Sequence, residues 1–250
     1  GYELVQTTTD GCTFEVVFEN LKTTAAKAGS EVIVLYKSIL NDDAVIGNQG
    51  NVNKVYGEFS NNPNEESFGK TKEDTVIIFT YTVEVNKQDE NNQPLSGATF
   101  TLEKFVANTA GTATYNGVQG DWTALSTVET TPDTTFTFEG LDDGSYRLTE
   151  TKAPEHYNAI EPIYFDVTAE HEVEWTMLRE DVLVSLTGNV TTGAISFSAD
   201  KETGKLTTNV VNERGVILPE TGGIGTTVFY IVGGLLVVAV LVFFIAKKRV

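Results

Sequence analysis

Residues 77–87 read Ile77-Ile78-Phe79-Thr80-Tyr81-Thr82-Val83-Glu84-Val85-Asn86-Lys87. Side chains of an extended chain alternate between two faces, so Ile77, Phe79, Tyr81, Val83 and Val85 line one side. β-Branched and aromatic residues fill the run, which predicts a strand with one face in a core. The next position on that apolar face is Lys87. In Tyr146-Arg147-Leu148-Thr149-Glu150 the apolar face holds Tyr146 and Leu148, and its next position is Glu150. Thr208-Asn209-Val210-Val211-Asn212 is ambiguous, because Val210 goes with Asn212 and Val211 with Asn209.

Working outward, the rest of the body carries the same signature. Short runs rich in Val, Thr, Phe and Tyr sit between Gly, Asn and Asp at 12–20, 30–40, 134–141, 144–151, 162–169, 171–178 and 205–212. These predict an all-β sandwich or barrel. The best helix signal is one short crossover at 20–29, with a Gly stop. Residues 60–75 are polar and turn-rich and read as a loop. A boundary near Tyr81 divides the long apolar segment between two domains.

At 250 residues the chain suits two ordinary domains, each with its own core. The net charge is −18, and setting aside the three cations of the acid-free stretch 223–250 leaves −21 on the rest. That excludes the basic footprint that nucleic acid requires. Cys12 is the single cysteine, so neither an internal disulfide nor a four-cysteine zinc site can form within the chain. Two histidines, His156 and His171, give a Ser-His-Asp arrangement few candidates, and no phosphate-loop, zincin or EF-hand pattern occurs. No metal and no cofactor are expected. The chain begins at Gly1 without an export signal and is expected to be a fragment or a processed form.

The end has a different character. Val228 to Ala246 is an uncharged run of 19 residues, which at about 1.5 Å per residue nearly spans a hydrocarbon core of about 30 Å. A transmembrane helix is expected, with Lys247, Lys248 and Arg249 on the cytoplasmic side and residues 1–222 outside. Just upstream stand Leu218-Pro219-Glu220-Thr221-Gly222. This order of motif, apolar span and basic tip resembles the LPxTG cell-wall sorting signal of Gram-positive surface proteins. The resemblance implies that a sortase cuts between Thr221 and Gly222 and passes the Thr221 carbonyl to an amine. The membrane then holds only the precursor.

Residues 82–216 resemble a Cna B-type domain of Gram-positive pilins and adhesins. The carriers are Val85-Asn86-Lys87-Gln88-Asp89, Leu95-Ser96-Gly97-Ala98-Thr99-Phe100-Thr101-Leu102, Phe138-Glu139-Gly140-Leu141 and the run from Gly144 to Pro154, which is similar to the pilin E-box YxLxETxAPxGY. His156 stands where the family usually has Gly, which challenges the turn, since Gly tolerates a positive φ that His resists. The resemblance implies an isopeptide bond between Lys87 and Asn212, promoted by Glu150. It alone selects Asn212 over Asn209. Burial favours the neutral forms of an amine and a carboxyl, so a proton can pass between the pair and leave a nucleophilic amine. A protonated Glu150 is then expected to polarise the Asn212 carboxamide. The residues also fit an ordinary buried Lys-Glu ion pair with Asn as a neighbour.

Residues 1–81 resemble the later part of the Ig-like (Cna A-like) sandwich domain that precedes the Cna B-type domain in major pilins. Val32 to Tyr36, Leu40-Asn41, Ala44 to Gly47, Gly50 to Asn53 and Ser60 to Asn64 carry this in their order. Along 55–61, Phe59 and Asn61 share a face with Val55, which makes Asn61 a candidate acceptor for a second isopeptide bond; a turn-forming Asn ahead of Pro63 is the other reading. The expected layout is 1–81 Ig-like, 82–216 Cna B-type and 217–250 sorting signal. The expected role is a non-enzymatic, sortase-polymerised pilus subunit at the Gram-positive cell surface. Its expected partners are sortase and either neighbouring pilin subunits or a peptidoglycan precursor. A wall-anchored monomeric adhesin or tip pilin is the alternative, and a surface enzyme on such a stalk the third reading.

Overall fold

The computed structural model describes residues 1–21, 27, 29–41, 43–62, 64–129, 133–172 and 182–215, with the backbone alone for 127–129. The sorting motif at 218–222, the apolar span at 228–246 and the basic tip at 247–249 lie outside the described residues. So do most of the expected helix at 20–29 and of the expected strand at 171–178.

The chain divides into two compact units, Gly1–Asp42 and Asp43–Val250. In the first, β1 (Glu3–Val5) pairs antiparallel with β2 (Glu15–Val17). The ring of Phe14 meets that of Tyr36 edge-on at 5.2 Å. The expected strand at 30–40 does not form: these residues have no regular structure, and Leu35 and Ile39 are 91% and 95% exposed. Strand propensity reflects packing against neighbours, and among the described residues no ladder takes up the backbone N–H and C=O groups of 30–40.

The second unit opens with two small ladders. β3 (Asn51–Val55) pairs with β6 (Asp74–Ile78), and β4 (Glu58–Ser60) with β5 (Phe68–Lys70). After a break at Phe79-Thr80 the chain enters the sandwich with β7 (Tyr81–Asp89) and continues through β8 (Thr99–Ala107), β9 (Ala113–Tyr115), β10 (Val118–Glu129) and β11 (Thr135–Leu141). It completes the sandwich with β12 (Gly144–Lys152), β13 (Ile163–His171), β14 (Leu183–Thr192), β15 (Ser198–Asp200) and β16 (Lys205–Asn212). One sheet has the order β14-β13-β12-β8-β10-β9 and the other β11-β7-β16-β15. Their inner faces meet in a core where Phe100 and Phe136 pack edge-on at 4.8 Å and Tyr146 stacks on Phe165. The Tyr146 hydroxyl is satisfied inside this core by donating to Asp142 O at 2.7 Å.

Two details of this frame position the site. β7 and β16, the first and last strands of the sandwich, lie side by side and parallel, with Lys87 opposite Val210 and Asp89 opposite Asn212. At the mouth of the sandwich, Gly47 and Gly204 touch backbone to backbone, so that a Cβ on Gly204 would fall 2.5 Å from Gly47 Cα. Both have positive φ, and Thr82 N–H donates to Gly204 O at 2.8 Å beside them.

The outer face of the larger sheet holds a second aromatic cluster that the sequence pattern does not reveal. The β9–β10 hairpin curls over this face. Tyr115 stacks on Tyr164 at 5.8 Å, and its hydroxyl lies 2.6 Å from Thr191 Oγ1 of β14. Trp122 packs against both tyrosines, and the Arg147 guanidinium lies 4.8 Å from its ring while binding Glu103 in a two-point ion pair.

Candidate functional site

Strand alternation carries a lysine, a glutamate and an asparagine into the apolar interior. Tyr81, Val83, Val85 and Lys87 follow one another on the inner face of β7, and Lys87 is 1% exposed. Tyr146, Leu148 and Glu150 do the same on β12. On β16 the inner face holds Leu206, Thr208, Val210 and Asn212, whereas Asn209 is exposed. The structure thus resolves the 209/212 ambiguity. The inner asparagine is Asn212, and it is fully buried.

Asn212 Nδ2 donates to both Glu150 carboxylate oxygens, at 3.0 and 2.9 Å, and to Asn158 O at 2.9 Å. Glu150 also accepts from Ile160 N–H at 3.0 Å. Asn212 Oδ1 is the one buried side-chain N or O atom without a partner among the described residues. Buried asparagines normally satisfy both ends of the amide, so this orphaned carbonyl calls for a reason. Lys87 Nζ donates to two backbone carbonyls, Gln88 O at 3.0 Å and Val210 O at 3.1 Å. No described ion pair joins Lys87 to Glu150. Burial brings the lysine down to about 8, against the smaller opposing pull of the Glu150 and Asp89 charges. Burial thus shifts Lys87 toward its neutral form.

Glu150, expected to polarise the Asn212 carboxamide, meets that group at its nitrogen. Rotating the amide by half a turn would set Oδ1 against the Asn158 carbonyl, so the backbone of the 154–160 loop selects the observed orientation. Asn158 and Ile160 act here through main-chain atoms, and no side-chain pattern could have pointed to them.

His156 keeps the turn that the family's glycine would make, at φ +70°. Histidine is among the non-glycine residues enriched in the left-handed region. Lys201 and Lys205 flank the β15–β16 turn half-buried, and Lys205 pairs with Glu84 at 2.8 Å. Asn61 is exposed just past β4, its N–H donating to Ser67 O at 3.1 Å. The face it was expected to share with Val55 does not exist, since the chain breaks at Tyr56-Gly57 and Val55 and Phe59 belong to different strands. Among the described residues no His, Cys, Asp and Glu cluster could hold a metal ion.

Residues 81–180 match the SpaA prealbumin-like fold domain, and residues 218–250 match the LPXTG cell wall anchor motif. By these two matches the chain is similar to LPXTG-anchored pilins of Gram-positive bacteria. It is 25% identical to the trypsin-resistant surface T6 protein of Streptococcus pyogenes serotype M6, over 86% of this chain and 48% of that protein. It thus spans about half the length of the curated relative it matches. Among solved structures it is similar to the T6 backbone pilin of the same organism, at 19% identity and TM-score 0.42, covering 71% of this chain and 46% of that one. It is also similar to the major pilin SpaD of Corynebacterium diphtheriae, at 20% identity and TM-score 0.33, covering 54% and 30%.

Proposed function

We propose that the chain is a structural subunit of a sortase-assembled pilus serving surface adhesion, and that an isopeptide bond between Lys87 and Asn212 locks its sandwich. The observation that carries this reading is a buried lysine and a buried asparagine on neighbouring strands of one sheet, met across the core by a buried glutamate of the facing sheet, with the asparagine six residues ahead of Leu218. Neutral Lys87 attacks Asn212 Cγ and forms the C–N bond. The carboxyl of Glu150 accepts a proton from the attacking amine and supplies one to Nδ2, which leaves as ammonia. Protons balance without an outside reagent. The contact between Glu150 and Nδ2 suits this role at the leaving group. An ion pair, the competing reading, would bring Lys87 onto the carboxylate, whereas its Nζ donates to main-chain carbonyls.

Crosslinking β7 to β16 closes a loop of more than 100 residues, worth about 5 kcal/mol on a chain-entropy model. This offers an extracellular fold with a single cysteine a substitute for disulfides. After crosslinking, a sortase would cleave between Thr221 and Gly222 and join Thr221 to an amine of the next subunit or of a peptidoglycan precursor. The membrane would hold the precursor by 228–246, with its C-terminus cytoplasmic. The proposed layout remains 1–81, 82–216 and 217–250, and Asn61 would need a partner from elsewhere to be crosslinked.

Intact mass of the purified chain tests the bond: one ammonia is expected to be missing, and restored in Lys87→Ala and Glu150→Ala. An unaltered wild-type mass refutes it. Wall extracts probed with antiserum should give a high-molecular-weight ladder; a single band would favour the monomeric adhesin.

A further inference from the structure

Beyond Asn212 the chain does not leave the sandwich at once. Residues 213–215 run antiparallel to the loop 154–158: Asn158 N–H donates to Glu213 O and Gly215 N–H to His156 O, each at 3.0 Å, with Tyr157 and Arg214 paired between them. The Arg214 guanidinium lies 5.7 Å from the Tyr157 ring, and its Nε donates to the Tyr157 hydroxyl at 3.3 Å. The same nitrogen pairs with Glu90 Oε1 at 3.3 Å. Three separate segments thus close on the exit: the turn after β7, the loop after β12 and the chain after β16. The left-handed turn at His156 directs its carbonyl to the last of these hydrogen bonds.

Leu218 follows Gly215 by only three residues of sequence. An enzyme that takes a peptide as an extended strand needs backbone free of other pairing on either side of the cut. We propose that Glu90, Tyr157 and Arg214 clamp the stem of the sorting motif and limit the rate at which a sortase takes Leu218 to Gly222. They act as positioning residues. The inference rests on the reading of the chain as a sortase substrate. Arg214 is largely exposed, and exposed ion pairs and cation–π contacts are weak. The clamp therefore opens readily, and cleavage follows the open population.

The test uses the full chain in detergent micelles with a soluble LPXTG-specific sortase and triglycine as the amine, following the ligated product by intact mass. Arg214→Ala is expected to raise the initial rate by about three- to tenfold, and Glu90→Gln by less, in line with the loss of a weak exposed contact. A Gly-Ser spacer inserted between Gly215 and Val216 should raise the wild-type rate similarly, and Arg214→Ala should add nothing further in its presence. That non-additivity separates a clamp from a general loosening of the fold, which the ammonia loss of each variant reports independently. Equal or slower cleavage of Arg214→Ala, with product still formed at Thr221, overturns the clamp alone. Absence of product from every form overturns the sortase-substrate reading and the clamp with it.

Discussion

Residues 30–40 and β7 are both runs of Val, Tyr and other strand-forming residues punctuated by polar ones, yet they have opposite fates. Tyr81, Val83 and Val85 are at most 1% exposed, whereas Val32, Ile33, Val34, Leu35 and Tyr36 range from 46% to 91%. β7 lies between β11 and β16, with a facing sheet to receive its inner side chains. Among the described residues of their unit, 30–40 have neither a paired strand nor a facing sheet. Composition makes a segment able to be a strand, and partners decide whether it becomes one.

The largest expected contrast comes from removing the crosslink. Lys87→Ala or Asn212→Ala should restore the ammonia mass and lower stability by about 5 kcal/mol, read as a large fall in melting temperature. Leu35→Ala should change stability by no more than about 0.5 kcal/mol. A comparable fall for Leu35→Ala would break the comparison and mean that 30–40 packs against something in solution.

Core truncation is next in size. Phe100→Ala removes a fully buried ring from the contact with Phe136 and should cost about 3–5 kcal/mol by chemical denaturation, against about 0.5 or less for Ile39→Ala. The outer aromatic cluster falls between these limits. Trp122→Ala should cost about 2 kcal/mol, because it removes the ring beneath Arg147 and between Tyr115 and Tyr164 but opens no closed cavity. A loss equal to that of Phe100→Ala would make the outer cluster a second core.

These differences also mark what the sequence could and could not convey. Alternation along 81–87 and 146–150 placed Lys87 and Glu150 inward without any family knowledge, because period two is a local property of the backbone. It could not choose between Asn209 and Asn212, since both belong to apolar alternations; the choice is made by which face of β16 meets the other sheet. The curl of the β9–β10 hairpin is invisible in sequence, as it depends on Tyr115 reaching Thr191, 76 positions away. The same holds for Asn158 and Ile160, which hold the site through peptide groups that every residue possesses. At 55–61 alternation misled, because Gly57 interrupts the strand across which it was counted.

The smallest effect is the most specific, since it follows one proton. In Asn212→Ala, Lys87 remains a free amine in a core strand. Its folded pKa of about 8 lies below the ordinary lysine value of 10.5. Between these values the unfolded chain binds more protons than the folded one, so stability rises with pH across the window. Below about pH 8 the penalty for burying the charge is present in full, and above about 10.5 it has gone. In the crosslinked wild type the same nitrogen is an amide and does not titrate. The buried hydroxyls of Tyr81 and Tyr146 are pushed up by desolvation and oppose this trend above about pH 10, but they are common to both proteins. The melting-temperature gap between wild type and Asn212→Ala should therefore narrow by about a few degrees from pH 7.5 to 9.5. A constant gap would mean that Lys87 stays charged in the folded interior, and it would remove the neutral nucleophile on which the crosslinking chemistry depends.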